Sequence, residues 1–284
     1  MGSLHSIFAE LKLTNMLCKS AARLLLFFYC FITISNVFCD TIPLAVTSIK
    51  YSLIDDGLRM FATDNMAANA FVDPSYLHAG FENRFCLKEL MSEELDAVFR
   101  YGLNAFALSA VHSGYRLYGE MSLSVGYSRS FGRHVAVGLR AYYLMTHATE
   151  CIPIHSFTFD VSLYARTGPN CGIGFAVYNP ARLKCGVVGE VPLPVRLHWD
   201  FNYRIGHSTL LLAMADWELR TRFAFSAGVK YRVKCLLLTA VARLPDPSGD
   251  VRIDLLYKRF LLGVSCRYLY PLGFVPRAEV TIFF

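Results

Sequence analysis

Beyond its N-terminus, this chain of 284 residues has no apolar run near the about 20 residues that a membrane-spanning helix needs. It has no CxxC pair, so a zinc site has no support from spacing. It has no nucleophile elbow and no clustered metal ligands. The glycine-rich stretch Gly168-Pro169-Asn170-Cys171-Gly172-Ile173-Gly174 falls in a strand-to-strand turn. It therefore lacks the helix N-terminus that phosphate binding uses. Charged residues make up only 18% of the chain, and the basic ones are scattered one or two per segment rather than gathered in a patch. That pattern excludes nucleic acid as a partner. These absences point to a protein without enzymatic activity, cofactor or metal.

What is present is apolar content without long runs. Hydrophobic residues are 54% of the chain, aromatic residues 14%, and the mean hydropathy is +0.37. A transmembrane β-barrel carries its membrane signal in this form, because only every second side chain faces lipid.

Residues 1–39 read as an export signal. Lys19 and Arg23 supply positive charge, 24–34 form a short apolar core, and Val37-Phe38-Cys39 precede a cut ahead of Asp40. A membrane anchor is disfavoured by the shortness of the run. A lipoprotein cut at Cys39 is disfavoured by the bulk of Phe38. Met16 is an alternative start. Without residues 1–39 the chain has 25 basic and 21 acidic side chains, so the net charge falls from +6 to +4. Six cysteines remain: Cys86, Cys151, Cys171, Cys185, Cys235 and Cys266. Residues 40–78 are irregular, with Asp55-Asp56-Gly57 and Asp73-Pro74 as turn signals.

From residue 79 to 284 the chain becomes a series of two-periodic segments. In 156–166, Phe157, Phe159, Val161, Leu163 and Ala165 alternate with Ser156, Thr158, Asp160, Ser162, Tyr164 and Arg166. Successive side chains on a strand point to opposite faces, so this is a strand with one apolar and one polar face. Segments 134–146, 195–204, 222–232 and 251–258 repeat the pattern. Fourteen strands are expected, starting near 79, 95, 104, 117, 134, 156, 171, 194, 208, 221, 235, 250, 260 and 274. Short turns follow the even strands and longer links tend to follow the odd ones, notably 147–155 and 180–192. Outer-membrane barrels have short periplasmic turns and longer external loops. Cys151 and Cys185 then share the external side, where they can pair.

The predicted fold class is all-β: a transmembrane antiparallel up-and-down barrel of about 14 strands in the outer membrane of a Gram-negative bacterium. A soluble sandwich would bury its charged face in a dry core. In the last strand, Val280, Ile282 and Phe284 share the lipid face, as an insertion signal for the outer-membrane assembly machinery requires. The lumen-lining candidates are Glu120, Arg140, Asp160, Arg166, Arg196, His198, Asp200, Arg204, Arg222, Lys230, Arg232, Arg252, Asp254, Arg267 and Glu279. Paired across strands they would hold the barrel closed; alone they would bias a pore toward anions. His198 with Asp200 could begin a hydrolase arrangement, but no serine is marked as their partner.

Several segments resemble a group of Gram-negative outer-membrane barrels, those of the long-chain fatty-acid transporter (FadL) type and the PorV/PorQ barrels of type IX secretion. They are 81–90 (Phe81-Glu82-Asn83-Arg84-Phe85-Cys86-Leu87-Lys88-Glu89-Leu90), 114–120 (Gly114-Tyr115-Arg116-Leu117-Tyr118-Gly119-Glu120), 125–132 (Val125-Gly126-Tyr127-Ser128-Arg129-Ser130-Phe131-Gly132) and 176–180 (Ala176-Val177-Tyr178-Asn179-Pro180). The likeness covers roughly 57–284. It implies that 57–77 corresponds to a segment that folds into the lumen as a plug or hatch. Here Asp73-Pro74-Ser75 stands where those families have Asn-Pro-Ala, and a periplasmic tail is the competing reading. The resemblance also implies passage of small hydrophobic or anionic solutes, or an accessory role beside secretion or surface-complex proteins. A lipid-modifying enzyme is a remote third.

Overall fold

The computed structural model describes residues 53–62, 64–185, 191–219 and 222–284. The expected export signal lies outside them. Fourteen strands close into an antiparallel barrel in which each pairs with its sequence neighbours and the last returns to the first. In order they are β1 (Tyr76–Asn83), β2 (Met91–Tyr101), β3 (Asn104–Gly114), β4 (Tyr118–Phe131), β5 (Val135–Ala148), β6 (Ile154–Arg166) and β7 (Cys171–Tyr178). After the small hairpin β8 (Lys184–Cys185) and β9 (Val191–Pro192) come β10 (Arg196–Ile205), β11 (Thr209–Glu218), β12 (Arg222–Val233), β13 (Leu236–Leu244), β14 (Ser248–Tyr257), β15 (Phe260–Leu269) and β16 (Gly273–Phe283). Ahead of the barrel lie a helix, α1 (Leu53–Ala62), and a 3-10 turn (Met66–Phe71). Among the described residues no helix is long and apolar enough to cross a membrane.

The expected strand count is met, and each expected start falls within a few residues of the observed one. The largest offset is at β2, which begins at Met91 rather than 95. The barrel itself begins at Tyr76 rather than 79. Consecutive acids at Glu93 and Glu94 break the alternation there and hide the strand.

Alternation sets the two faces. On β6, Phe157, Val161 and Leu163 are exposed, while Ser156, Thr158, Asp160, Ser162 and Tyr164 are buried. The exposed side is the lipid-facing surface. Aromatic residues ring it at both ends. Phe99, Tyr101, Phe106, Tyr127, Phe131, Tyr203, Tyr231, Phe260 and Phe284 are exposed at one end, with Phe99 packing on Phe284 and Phe106 on Tyr127. Tyr115, Tyr118, Phe157, Trp217, Phe223, Tyr268 and Phe274 are exposed at the other. Such girdles flank the apolar band of a transmembrane barrel.

The first end is the turn end, where β2–β3, β4–β5, β6–β7, β10–β11, β12–β13 and β14–β15 are joined by two to four residues each. Gly102 takes positive φ in the tightest of these, as a two-residue hairpin requires. The opposite, loop end is less extended than expected. Only 84–90, 149–153 and 179–195 are long there, and the links 115–117, 219–221, 245–247 and 270–272 have three residues each. Cys151 is a free, exposed thiol, and the side chain of Cys185 lies outside the described residues.

Candidate functional site

Every second residue of each strand points inward, so the lumen is written in one residue of two. The two sides of the barrel use that freedom differently. On β4 to β7 the inward residues are mostly small: Ser122, Ser124, Gly126, Ser128 and Ser130; Ala136 and Gly138; Ser156 and Ser162; Gly172, Gly174 and Ala176. The room they leave is occupied by Ala62 and 64–72. Ala62, Asn65 to Phe71 and Val72 are buried. Met66 lies against Gly126 and Gly138, where an added Cβ would collide with its side chain and with the backbone of 66–67.

Polar contacts fix this segment to the wall. Asn65 caps the 3-10 turn by accepting from the Ala67 amide, at 3.1 Å. Its Nδ2 donates to Asp200 Oδ2 at 2.7 Å and to the Leu163 carbonyl at 3.2 Å. The Ala67 amide also reaches Ser162 Oγ at 2.9 Å. Arg140 donates to the Ala62 carbonyl (2.9 Å), and Arg166 donates to the Phe71 carbonyl (3.0 Å) with its guanidinium 4.3 Å above the Phe71 ring. Helix α1 sits beside β10 and β11, with Gly57 against Leu210, and Arg59 lies 4.2 Å over the ring of Phe283.

The other side, from β11 through β16 to β1 and β2, encloses a cavity of about 380 Å³. Its walls are charged, and the charges pair. Arg252 binds Asp254 at 2.7 Å and Glu279 at 2.6 Å. Arg277 binds Glu279 at 2.5 Å and Glu94 at 2.7 Å. Two of these contacts cross an intervening strand, and each crossing has a glycine beneath it. Arg252 on β14 reaches β16 over Gly263 of β15; Arg277 on β16 reaches β2 over Gly80 of β1. A side chain at either position would obstruct the guanidinium. Gly80 and Gly263 thus act as windows that make the ladder continuous from β14 to β2.

Between the two sides runs a chain of polar contacts. Asp200, held by Asn65, lies 3.8 Å from His198 Nε2; His198 Nδ1 bonds Asp216 at 2.7 Å; Asp216 binds Arg243 at 2.9 Å. Both ring nitrogens of His198 thus face carboxylates rather than a serine hydroxyl. This is not the arrangement of a hydrolase.

The remaining expected residues fall as follows. Asp160 pairs with Arg140 at 3.6 Å and accepts from the Tyr142 hydroxyl at 2.5 Å. Lys230 and Arg252 line the large cavity, and Lys230 is buried. Arg196 is exposed, 4.0 Å from Asp64 and over the Tyr178 ring. Arg204 binds Asn170 Oδ1, Arg232 donates to the Lys234 carbonyl, and Arg267 pairs with Asp250 at 3.2 Å. Glu120 departs from the expectation of a lumen wall. It is exposed at the loop end with the Tyr118 hydroxyl as its partner. The Arg222 side chain lies outside the described residues. Val280 and Ile282 are half-buried and Phe284 is exposed, on the outward face as expected.

Sequence reading missed Asn65, His78, Glu94, Asp96, Asp216, Arg243 and Asp250. The parity of β1, β2, β11, β13 and β14 could have found all of these but Asn65, whereas nothing short of the fold brings Asn65 to Asp200. Among the described residues, His78, Glu94 and Asp96 form a group that could hold a cation, their donor atoms lying within 4.8 Å of one another. Arg277, bound to Glu94, brings competing positive charge to the same place.

Charge also divides the barrel end from end. The turns and strand ends of the turn end carry Arg100, Arg129, Arg133, Arg166, Arg204, Arg232, Lys234, Lys258 and Arg259, with Asp73, 3.6 Å from Arg100, as the acid beside them. The loop end mixes both signs, with Glu82, Glu89, Glu93, Glu120, Glu150, Glu218 and Asp246 among its residues.

A closed, lipid-girdled, fourteen-stranded barrel with a polar interior defines the class: a transmembrane β-barrel. Solved structures similar to it include the CymD monoaromatic hydrocarbon channel (TM-score 0.58, 11% identity, 82% of this chain and 94% of that chain covered). The Pseudomonas putida toluene transporter TodX is another (TM-score 0.59, 9% identity, 78% and 91% covered). A Pseudomonas aeruginosa FadL homologue is a third (TM-score 0.58, 10% identity, 79% and 94% covered). At these identities the likeness is one of fold. No protein-family model and no curated protein matches the chain.

Proposed function

We propose that this chain is a transport-type barrel of a Gram-negative outer membrane, passing small polar or anionic solutes through a lumen gated by its own N-terminal segment. The observation that carries the reading is the division of the lumen. One half holds Ala62 and 64–72 by hydrogen bonds to the wall; the other is a charged cavity of about 380 Å³. The similar channels are named for monoaromatic hydrocarbons and toluene. The charged lining here turns the same fold toward polar solutes, since an apolar one would gain nothing by displacing water from paired ions. The expected insertion signal at Val280, Ile282 and Phe284 fits delivery to that membrane.

The test is conductance in planar bilayers together with solute-driven swelling of liposomes, on the full chain and on a variant that unseats the segment, Gly138→Leu. Steps that grow in the variant support a gated channel. Silence from both proteins overturns it.

A second reading has one observation in its favour. A segment bonded to the wall at Asn65, Ala67 and Phe71 leaves half the lumen filled. A filled barrel suits a non-enzymatic accessory subunit of a secretion or surface complex, of the PorV/PorQ kind. Recovery of a stoichiometric partner with a non-conducting barrel would favour it.

A further inference from the structure

Sequence spacing shows no cluster of metal ligands, but the register of the first two strands assembles one. His78 on β1 stands opposite Asp96 on β2, and Gly80 stands opposite Glu94. Side chains two apart on a strand share a face, so Glu94 and Asp96 both point inward, toward the charged cavity that all three ionisable residues line. A ring nitrogen of His78 and one oxygen from each carboxylate lie within 4.8 Å of one another. Bonds of about 2.1 Å to a tetrahedral ion hold its donor atoms about 3.4 Å apart. No pair here has to close by more than about 1.4 Å, which small side-chain rotations supply.

Two features of the group point to a ligand. The first is Asp96, which is only 7% exposed and whose Oδ2 has no hydrogen-bond donor among the described residues. A buried carboxylate oxygen without a donor is costly unless a cation or a proton reaches it. The second is the orientation of His78. Its Nδ1 lies 2.9 Å from Thr281 Oγ1 on β16, and a ring held through one nitrogen presents the other to a metal. That other nitrogen, Nε2, lies over Gly80, 3.5 Å from the position a Cβ would take there. Arg277 is the competing cation. Its Nη2 binds Glu94 Oε2 at 2.7 Å and its Nε binds Glu279 at 2.5 Å, and neither contact reaches Asp96.

We infer that His78, Glu94 and Asp96 form a site for one divalent transition-metal ion of the zinc type, in the lumen wall between β1 and β2. One imidazole and two carboxylates suit such an ion. They offer too few oxygens for calcium, which takes about six to eight. Three protein ligands leave a coordination position open, on the side of the cavity. The site does not depend on transport, since a barrel that conducts nothing would still present it.

The test is calorimetric titration of the full-length protein in detergent with Zn²⁺, after removal of any affinity tag and dialysis against a chelator. Ca²⁺ is titrated in parallel. One Zn²⁺ per chain, with far weaker Ca²⁺ binding, is the expected result. Asp96→Asn and His78→Gln should each weaken Zn²⁺ binding about a hundredfold or more, and Thr281→Val, which touches only the ring, about tenfold. His207→Gln removes an exposed histidine of a turn and should change nothing. Arg277→Gln removes the competing charge and should tighten binding about tenfold. A gain of affinity cannot come from a misfolded barrel, so this variant decides the matter even if the loss variants fail to fold. Four outcomes overturn the inference: no stoichiometric Zn²⁺ uptake, Ca²⁺ bound as tightly as Zn²⁺, equal losses in His207→Gln and Asp96→Asn, or binding no tighter in Arg277→Gln. The first would leave the two carboxylates sharing a proton. Conductance is not read in this experiment, so a silent channel and an absent metal site are told apart.

Discussion

The small-residue wall of β4 to β7 and the charged wall of β11 to β16 obey the same alternation, yet they solve opposite problems. Serine, glycine and alanine on the first leave a volume that the wall cannot fill, and Ala62 with 64–72 fills it. Arginine, aspartate and glutamate on the second reach along the wall to one another, and a cavity remains. Inward side-chain length therefore decides where a barrel takes up its own N-terminal segment and where it stays hollow. Neither wall could exchange roles without loss: a long charge in place of Gly138 on β5 would have to share space with the buried Ala67, and small residues on β14 would break the ladder.

The comparison breaks most visibly at Gly138. An added side chain there meets the Ala67 amide and Met66 backbone, neither of which can swing aside. Gly138→Leu is expected to weaken docking of the segment by about 3 kcal/mol. Limited proteolysis within 53–75 should become much faster than in the unchanged protein. Gly126→Leu meets the Met66 thioether, a flexible group, and should cost far less. Equal protease sensitivity in the two variants would mean that the segment is not seated on the small-residue wall as described.

Next in size is Asp200→Ala. It removes the acceptor of the Asn65 amide and leaves that buried donor without it, at a cost of about 2 kcal/mol. Hydrogen exchange across 65–72 should quicken about thirtyfold. Asp200→Asn keeps an acceptor oxygen and should show a smaller change. An unaltered exchange rate in Asp200→Ala would detach the segment from the β10 wall.

The fold was largely legible in the sequence because alternation reports a two-faced wall directly. The strand Ser156 to Arg166 reads correctly residue by residue. The lumen was legible only by parity. Arg140, Asp160, Arg252, Asp254 and Glu279 follow from it, while which of them pair does not, since pairing depends on register and on the glycine windows at Gly80 and Gly263. Glu120 follows the parity but stands past the point where the wall encloses anything. The segment was least legible. Asn65 caps a turn and binds Asp200, 135 positions away, and no local pattern announces that contact. The clue was on the wall, in the run of small inward residues on β4 and β7.

The hollow side offers a milder perturbation. Gly263→Val would place a branched side chain beneath the Arg252–Glu279 contact. A cost of about 1 kcal/mol, the low end for overpacking, is expected, since the new side chain presses on Asp254 Oδ1, the atom that holds Arg252 Nε, and both side chains must shift. It should appear as a lower melting temperature in detergent, with exchange across 65–72 unchanged. A variant that also loosened the segment would show that the two walls are coupled through His198 and Asp216.

The smallest effect is expected at Arg267. Its pair with Asp250 is 3.2 Å long, and both side chains are substantially open, 41% and 27% exposed. Water screens such a pair, and the conformational freedom lost in forming it offsets most of the attraction. Arg267→Ala should therefore shift stability by only about 0.5 kcal/mol, and 1 M salt should erase the difference. The value of this variant lies in where it sits, on the same charged wall as Arg252 and Arg277 but toward the loop end. A small, salt-sensitive shift locates the ladder's strength in the less exposed contacts around Glu279, whose side chain is 4% exposed. A large, salt-resistant shift would mean that the loop end of the cavity is closed to solvent, and the hollow half would then be an inner chamber rather than a passage.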